Sequence, residues 1–144
     1  MSDTNKIIVK RFFDEVNKGK NAALAAVDEL IAPDYVLHDP TVGEVKGKDG
    51  LRQFLGGFYD AMPDFSMKLE DLLAEGDRAV YRFTSTGTHK GTLMGFAPTG
   101  KRVATTCICI GRLAGGKIVE EWQVWDAHGL FKQLSGEKAA ARVA

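Results

Sequence analysis

The stretch from Phe65 to Thr88, FSMKLEDLLAEGDRAVYRFTSTGT, decides the fold class of this chain. On both sides of Glu75-Gly76-Asp77, hydrophobic and polar residues alternate with a period of two, as in a strand with one buried face. A short break that contains glycine between two such runs predicts a β-hairpin. The pattern continues downstream, and the sequence predicts four long strands joined by hairpins: 65–74, 78–88, 103–113 and 117–126.

Helical patterns occur before and after these strands. Their apolar residues recur at intervals of three and four positions, which predicts amphipathic helices. The predicted helices run from about Asp3 or Thr4 to Gly19, from Asn21 to Ile31, from Gly47 to before Met62, and from Gly129 to Leu134. Between the second and third helices, the sequence predicts a short strand at Tyr35–Leu37 and a turn at Asp39–Gly43.

This order of elements predicts an α+β fold. Helices that are segregated from hairpin-connected strands pack on a strongly curved antiparallel sheet. Three N-terminal helices can cover only one face of that sheet, so we expect a cone with a ligand-sized hollow between the two layers. We interpret residues 1–144 as one domain with its core at about 5–134, and we expect residues 135–144 to be frayed.

The charges exclude some classes of partner. Lys and Arg together number 19, and Asp and Glu also number 19, so the net charge at pH 7 is zero. A nucleic-acid-binding protein would concentrate a basic excess on one face, so we expect no nucleic-acid partner. The sequence contains neither a secretory signal nor an apolar run of about 18 residues, which predicts a cytoplasmic protein without a membrane partner.

The two cysteines do not indicate a disulfide or a metal site. Cys107 and Cys109 lie two positions apart in a predicted strand, so their side chains share one face. Such positions are separated by about 6.5 Å with parallel side chains, which is poor geometry for a disulfide. Because no further Cys or His lies nearby in the sequence, we expect no zinc site and assign both to the core or to an interface.

A series of short motifs extends over nearly the whole chain, from about Asn5 to Leu134. The motifs are His38-Asp39-Pro40, Gly47-Lys48-Asp49-Gly50, Met62-Pro63-Asp64-Phe65, Gly87-Thr88-His89-Lys90-Gly91, Pro98-Thr99-Gly100-Lys101, Gly115-Gly116-Lys117-Ile118-Val119-Glu120-Glu121-Trp122 and Trp125-Asp126. In order and spacing, this series resembles the SnoaL-like polyketide cyclases, a family of predicted ester cyclases. The resemblance implies the nuclear transport factor 2-like cone fold, assembly through the sheet and a pocket without a cofactor. In the best-known members it also implies an intramolecular aldol ring closure on a polyketide ester.

Asp126 is the first candidate for a catalytic base. Strand alternation places it on the same face as Trp122 and Val124, where partial desolvation would raise its pKa and strengthen it as a base. The resemblance implies the family's acid/base aspartate at this strand end. The alternative is that Asp126 only caps the closing helix, since Asp is a preferred N-cap residue.

Two histidines are further candidates. His38 follows the predicted short strand, and a neutral imidazole there could donate a hydrogen bond to a developing enolate oxygen. A structural or surface histidine beside the Asp39-Pro40 turn is the alternative. His89 begins a glycine-rich loop that could cover the pocket and bring the histidine to the substrate, or the histidine could simply be solvated.

Three more residues are candidates for substrate binding. Arg112 could anchor a substrate carboxyl group or could pair with Glu120 or Asp126, because a charge within a half-buried strand needs a partner. Trp122 and Tyr35 could line the pocket and stack on a flat ligand, and core packing explains either equally well.

The residues support two hypotheses of function. The first is an enzyme without a cofactor that performs acid/base chemistry on a small hydrophobic carbonyl compound, as in an aldol cyclase, an isomerase or a hydratase. The second is a non-catalytic domain that binds a small hydrophobic molecule in the same pocket. In either case small residues on one sheet face predict a homodimer through the sheet, either at Thr84, Thr86 and Thr88 or at Thr105, Cys107 and Cys109.

Overall fold

A computed structural model describes residues 2–136, in which four helices and six strands are formed. The helices are α1 (Ser2–Val16), α2 (Lys20–Leu30), α3 (Gly47–Ala61) and α4 (Ala127–Ser135). The strands are β1 (Ile31–Asp39), β2 (Gly43–Lys46), β3 (Ser66–Glu75), β4 (Arg78–Thr88), β5 (Arg102–Ala114) and β6 (Lys117–Trp125). The α+β class is confirmed. Residues 135–144 were expected to fray. Ser135 instead ends α4, and Gly136 caps that helix with φ 77°, in the left-handed region. Residues 137–144 lie outside the described part of the chain.

The six strands form one sheet in the order β2-β1-β6-β5-β4-β3. All neighbours are antiparallel except β1 and β6, which run parallel. The four hairpin-connected strands are antiparallel as expected, whereas the parallel pairing of β1 with β6 was not predicted. The sequence pattern of a single strand does not reveal which distant strand it pairs with.

The first strand is longer than predicted. It spans nine residues, although Pro33 lies within it. The ladder between β1 and β6 shifts register between Ile31 and Val36, and a proline is tolerated at such an irregularity because its missing N–H is not needed there. The short β2 was not predicted, because four residues are too few for a period-two pattern.

The helices α1, α2 and α3 cover one face of the sheet, which we call the inner face. Phe13 of α1 packs edge-on against Tyr81 and Phe83 of β4, with ring centroids 5.9 and 5.0 Å apart. The ladders between β3 and β4 and between β5 and β6 each shift register, and irregularities of this kind increase the local twist of a sheet. The curvature creates the space for the site described below.

The opposite, outer face of the sheet carries a group of exposed apolar side chains. Leu73 pairs with Val80 and Val80 with Ile110, while Ile108 pairs with Val124 in the next row. Their exposed fractions lie between 37% and 67%, which marks a continuous apolar surface rather than scattered single residues. We call these five residues the outer apolar patch.

None of the helices within residues 2–136 is both long enough and apolar enough to cross a bilayer.

Candidate active site

A cavity lies between the inner face of the sheet and the helices. Its volume is about 120 Å³. Its wall is mainly apolar and aromatic. The wall residues that carry polar or thiol groups are Tyr35, Tyr81, Ser85, Thr86, Thr105, Cys107, Glu121, Gln123 and Trp125. A mostly apolar pocket with a few converging polar groups is typical of a site for a small organic molecule.

The carboxylate of Glu121 is the centre of the polar part of this wall. The Tyr35 hydroxyl donates to Glu121 Oε1 at 2.5 Å, and the Tyr81 hydroxyl donates to Glu121 Oε2. The thiol of Cys109 also donates to Oε2, at 3.3 Å. Three side chains from β1, β4 and β5 therefore converge on one carboxylate of β6, which fixes both its oxygens.

The two tyrosines are held as hydrogen-bond donors. Tyr35 and Tyr81 are 1% and 3% exposed. Burial, followed by the negative charge of Glu121, raises the pKa of Tyr35 well above its usual value. The pKa of Tyr81 is raised as well, first by burial and then by the neighbouring Cys109 and Glu121. Both hydroxyls therefore keep their protons at neutral pH.

A glycine makes room for one of these tyrosines. Gly111 of β5 lies on the inner face, where a Cβ atom would approach the Tyr81 hydroxyl to 2.6 Å. Real side chains do not tolerate such a contact, so the glycine is required for the Tyr81 ring to reach Glu121.

A second buried carboxylate accepts hydrogen bonds from two side chains of the pocket wall. Asp39, which is 4% exposed, accepts hydrogen bonds at Oδ2 from Gln123 Nε2 at 2.7 Å and Trp125 Nε1 at 2.8 Å. Its Oδ1 accepts from the backbone N–H groups of Thr41 and Val42, at 2.8 and 3.2 Å. Four donors from two parts of the chain thus hold Asp39, and Asp39 in turn orients two side chains of the wall.

The charged side chain at the cavity wall is negative. Within residues 2–136, the cavity wall contains the carboxylate of Glu121 and no Lys, Arg or His. In the same part of the chain, no three His, Cys, Asp or Glu side chains are grouped as metal ligands. An uncharged ligand suits this wall better than an anion, because an anion would meet a carboxylate without a compensating cation.

Asp126 does not lie in this cavity. It follows the end of β6 as the residue before α4, while Trp122 and Val124, whose face it was predicted to share, lie on the outer face, so the expected desolvation of Asp126 is wrong. Its side chain is exposed and its Oδ1 accepts from the backbone N–H of Gly129 at 2.9 Å, which caps α4. The geometry matches the alternative interpretation, the helix cap.

His38, Trp122 and Arg112 also lie on the outer face, away from the cavity. The His38 ring stacks on Trp122 with centroids 5.5 Å apart, and its Nε2 is 2.7 Å from Glu120. Arg112 pairs with the same Glu120 at 3.2 Å, as one alternative predicted. The contacts of His38 and Arg112 lower the pKa of Glu120, with the hydrogen bond from His38 as the largest cause. Neither the predicted contact of His38 with an enolate nor that of Arg112 with a substrate carboxyl is compatible with these positions.

His89 is buried rather than solvated. Its exposed fraction is 0%, and its Nδ1 accepts from the backbone N–H of Thr99 at 3.2 Å, which ties together the two ends of the glycine-rich loop. Its Nε2 has no hydrogen-bond partner among residues 2–136. His89 is not part of the cavity wall. Of the six predicted site residues, only Tyr35 lies at the cavity.

Glu121 and Gln123 were missed by the sequence analysis, although the signal was present. The alternation in β6 separates Glu121, Gln123 and Trp125 from Trp122 and Val124, but it does not say which set faces the helices. The decision depends on the neighbouring strands. Cys107 and Cys109 pair with Trp125 and Gln123 across the ladder, and their buried positions identify the inner face.

Comparisons with known proteins agree with this architecture. Residues 7–134 match the family of the SnoaL-like polyketide cyclases. No protein with a curated description matches the chain. Among solved structures, AclR from Streptomyces galilaeus, a proposed hydroxylase, is 27% identical with a TM-score of 0.85, and the match covers 99% of this chain and 87% of AclR. A proposed polyketide cyclase from Acidithiobacillus ferrooxidans is 31% identical with a TM-score of 0.80, covering 94% of this chain and 96% of that one.

A third similar structure is IdmH from Streptomyces antibioticus, a proposed polyketide cyclase. It is 26% identical with a TM-score of 0.76, and the match covers 89% of this chain and 96% of IdmH. The family match extends over the helices that close the cavity and over all six strands. With its curved six-stranded sheet and its apolar hollow, this chain belongs to the SnoaL-like polyketide cyclase family and has the nuclear transport factor 2-like cone fold.

Proposed function

We propose that this protein catalyses proton transfer at carbon in a small uncharged carbonyl compound, in the manner of an aldol cyclase, with Glu121 as the base. The observation that carries this proposal is the position of the Glu121 carboxylate in the wall of an apolar cavity, where Tyr35, Tyr81 and Cys109 fix its two oxygens. Asp126 and His38, the candidates from the sequence, lack such a position.

The proposed reaction begins with a proton on a carbon between two carbonyl groups. Glu121 takes this proton and leaves an enolate, whose carbon attacks a second carbonyl carbon of the same molecule and forms the new C–C bond. The oxygen of the attacked carbonyl becomes an alkoxide and takes the proton back from Glu121. The base ends the cycle in its starting state, and no redox partner is needed.

The tyrosines supply the second element of the chemistry. While Glu121 is ionised, it accepts hydrogen bonds from both tyrosine hydroxyls. When Glu121 becomes protonated, one of its oxygens loses most of its strength as an acceptor, and the tyrosine on that oxygen can donate to the enolate instead. Glu121 thus gains the proton from the substrate carbon, and one tyrosine becomes free to donate a hydrogen bond to the enolate.

The test is hydrogen exchange at carbon with ethyl 2-benzylacetoacetate, an uncharged β-keto ester with an aromatic ring. In deuterated buffer, proton NMR follows the loss of the signal from the hydrogen on the carbon between the two carbonyls. We expect the protein to accelerate this exchange. Glu121→Gln preserves the shape of the side chain but removes the base, and it should lower the acceleration by at least about a hundredfold.

Asp126→Asn is the matched control, and it should exchange at the rate of the unmodified protein. The hypothesis that assigns the base to Asp126 predicts the reverse pattern of the two variants. If the protein binds the ester but accelerates nothing, the second hypothesis, a non-catalytic binding domain, replaces the proposal.

We further propose that two copies of the chain associate through the outer apolar patch. Leu73, Val80, Ile108, Ile110 and Val124 would otherwise expose a continuous apolar surface to water. On β4, the predicted face at Thr84, Thr86 and Thr88 lies on the same side of the strand as Val80 of the patch. Cys107 and Cys109 face inward and are buried, so the alternative face is not available.

We also infer that the protein works in the cytoplasm. Cys107 and Cys109 are free thiols, which suits a reducing compartment.

A further inference from the structure

Gln123 can present only one of its two polar atoms to the cavity. An amide side chain carries a donor NH₂ group and an acceptor oxygen, and its neighbours decide which way it turns. Here Asp39 Oδ2 accepts from Gln123 Nε2 at 2.7 Å. Because Asp39 already accepts from three other N–H groups, it acts as an acceptor and holds the NH₂ group of Gln123 on its own side.

The oxygen of Gln123 therefore points away from Asp39. Among residues 2–136, the one hydrogen bond that this oxygen accepts comes from the thiol of Cys107, at 3.8 Å. Burial, together with the negative charges of Glu121 and Asp39, raises the pKa of Cys107 to about 12, so this thiol stays protonated and is a weak donor. The Gln123 oxygen retains the capacity to accept a stronger hydrogen bond from a ligand.

Glu121 and Gln123 lie on the same face of β6, two residues apart, at a spacing of roughly 6.6 Å along the strand. This separation is close to the width of an aromatic ring with one substituent. The rings of Phe54, Phe58 and Trp125 contribute to the same cavity wall and suit a flat ligand.

We propose that Gln123 is a specificity-determining residue that selects ligands with a hydroxyl donor, such as a hydroxyaromatic or enolised compound, and that Asp39 positions it. The inference uses the same cavity as the proposed function and names its substrate class. The donor group of the ligand would bind Gln123, about one ring away from the carbon that faces Glu121. A ligand with a methoxy group in place of the hydroxyl would lack the donor and would leave the Gln123 oxygen without this hydrogen bond.

The test compares the binding of 2-naphthol with that of its methyl ether, 2-methoxynaphthalene, by isothermal titration calorimetry. We expect the unmodified protein to bind 2-naphthol at least about tenfold more tightly, as a hydrogen bond of about 1.4 kcal/mol would give. Gln123→Met conserves the volume and removes the acceptor, so it should abolish this preference while it leaves the binding of the ether unchanged.

Glu121→Gln separates this inference from the proposed function. The preference for 2-naphthol should persist in Glu121→Gln, even where hydrogen exchange is lost. If Glu121→Gln abolishes the preference and Gln123→Met retains it, the hydroxyl binds at Glu121 and the inference is wrong. Equal binding of the two compounds, or failure of both to bind, also overturns it.

A measurement on the unmodified protein covers the case in which Gln123→Met does not fold. With labelled glutamine, addition of 2-naphthol should shift the side-chain carbonyl carbon of Gln123, because the oxygen gains a donor. The side-chain nitrogen should shift less, because Asp39 continues to hold it. A larger shift at the nitrogen would contradict the proposed orientation.

Discussion

The hydroxyl oxygen of Tyr81 lies 2.6 Å from the point that a Cβ atom would occupy on Gly111. The two residues belong to neighbouring strands, β4 and β5, and both lie on the inner face of the sheet. A side chain at position 111 would therefore compete with Tyr81 for the space from which Tyr81 reaches Glu121.

Gly111→Ala should displace the Tyr81 ring and lower the free energy of unfolding by about 1–3 kcal/mol, as overpacking does elsewhere. Urea unfolding measures this change, and the exchange assay should show a loss of activity in the folded protein. Gly57→Ala is the control, because it lies on α3 with nothing within 4 Å of the added methyl group, and it should be neutral or stabilising. Equal behaviour of the two variants would contradict the steric argument.

Asp39→Ala should be among the most destabilising single substitutions in this protein. Four N–H groups would lose their acceptor, two of them on side chains of the cavity wall. We expect a loss of about 3 kcal/mol in urea unfolding, since hydrogen bonds to a charged group are strong and buried donors are costly to leave unpaired. Asp34→Ala, at an exposed position of the same strand, should cost less than about 0.5 kcal/mol.

The cysteines should resist thiol reagents in the folded protein. Burial is the largest cause of the raised pKa of both Cys107, at about 12, and Cys109. Because the thiolate is the reactive form, we expect the reaction with Ellman's reagent at pH 8 to be at least about a hundredfold slower in buffer than in urea. A fast reaction in buffer that disappears in Cys107→Ser would show that the cavity admits the reagent and ionises this thiol.

Stability should decline in acid partly through Asp64. The backbone N–H and the hydroxyl of Thr88 donate to its carboxylate, each at 2.7 Å, and lower the pKa of Asp64 below its usual value. A lowered pKa in the folded state adds stability that is present above about pH 4, the pKa of an unfolded Asp, and that disappears as the pH falls through the folded value. Urea unfolding at pH 7 and pH 3 should show a smaller acid loss for Asp64→Asn than for the unmodified protein, and equal losses would contradict this role of Asp64.

Association through the outer apolar patch can be tested by charge. Ile108→Glu places a carboxylate in the middle of the patch, where burial against a second copy would be costly. We expect the unmodified protein to be a dimer by light scattering at micromolar concentration and Ile108→Glu to be a monomer. Ile7→Glu is the control on α1, where the isoleucine is 64% exposed outside the patch. A monomeric unmodified protein would refute this mode of assembly.

The fold was predictable from the sequence because its strands and helices have clear periods. The hairpin between β3 and β4 and the three N-terminal helices follow directly from the alternation and the turn residues. The position of β1 beside β6 was not predictable, because it depends on contacts between residues such as His38 and Trp122, which are far apart in sequence.

The site was less predictable for a related reason. Alternation in β6 divides Glu121 and Gln123 from Trp122 and Val124, but the inner face is identified only by what packs on it. The sequence predicted burial of Asp126 because strand alternation placed its carboxylate on the same face as Trp122. In the folded protein, that tryptophan stacks on His38 and lies under the Arg78 guanidinium on the outer face.

The parallel pairing of β1 with β6 also has a consequence for how the protein reaches its native state. Tyr35 and Glu121 are 86 positions apart along the chain, as are Asp39 and Trp125. Contacts at such separation carry a large loop-closure cost and form slowly. The ribosome must synthesise β6 before Glu121, Gln123 or Trp125 can meet their partners from β1. The polar wall of the cavity is thus completed late, and a nascent chain that already has its first three helices and its first hairpin does not yet have its chemical centre.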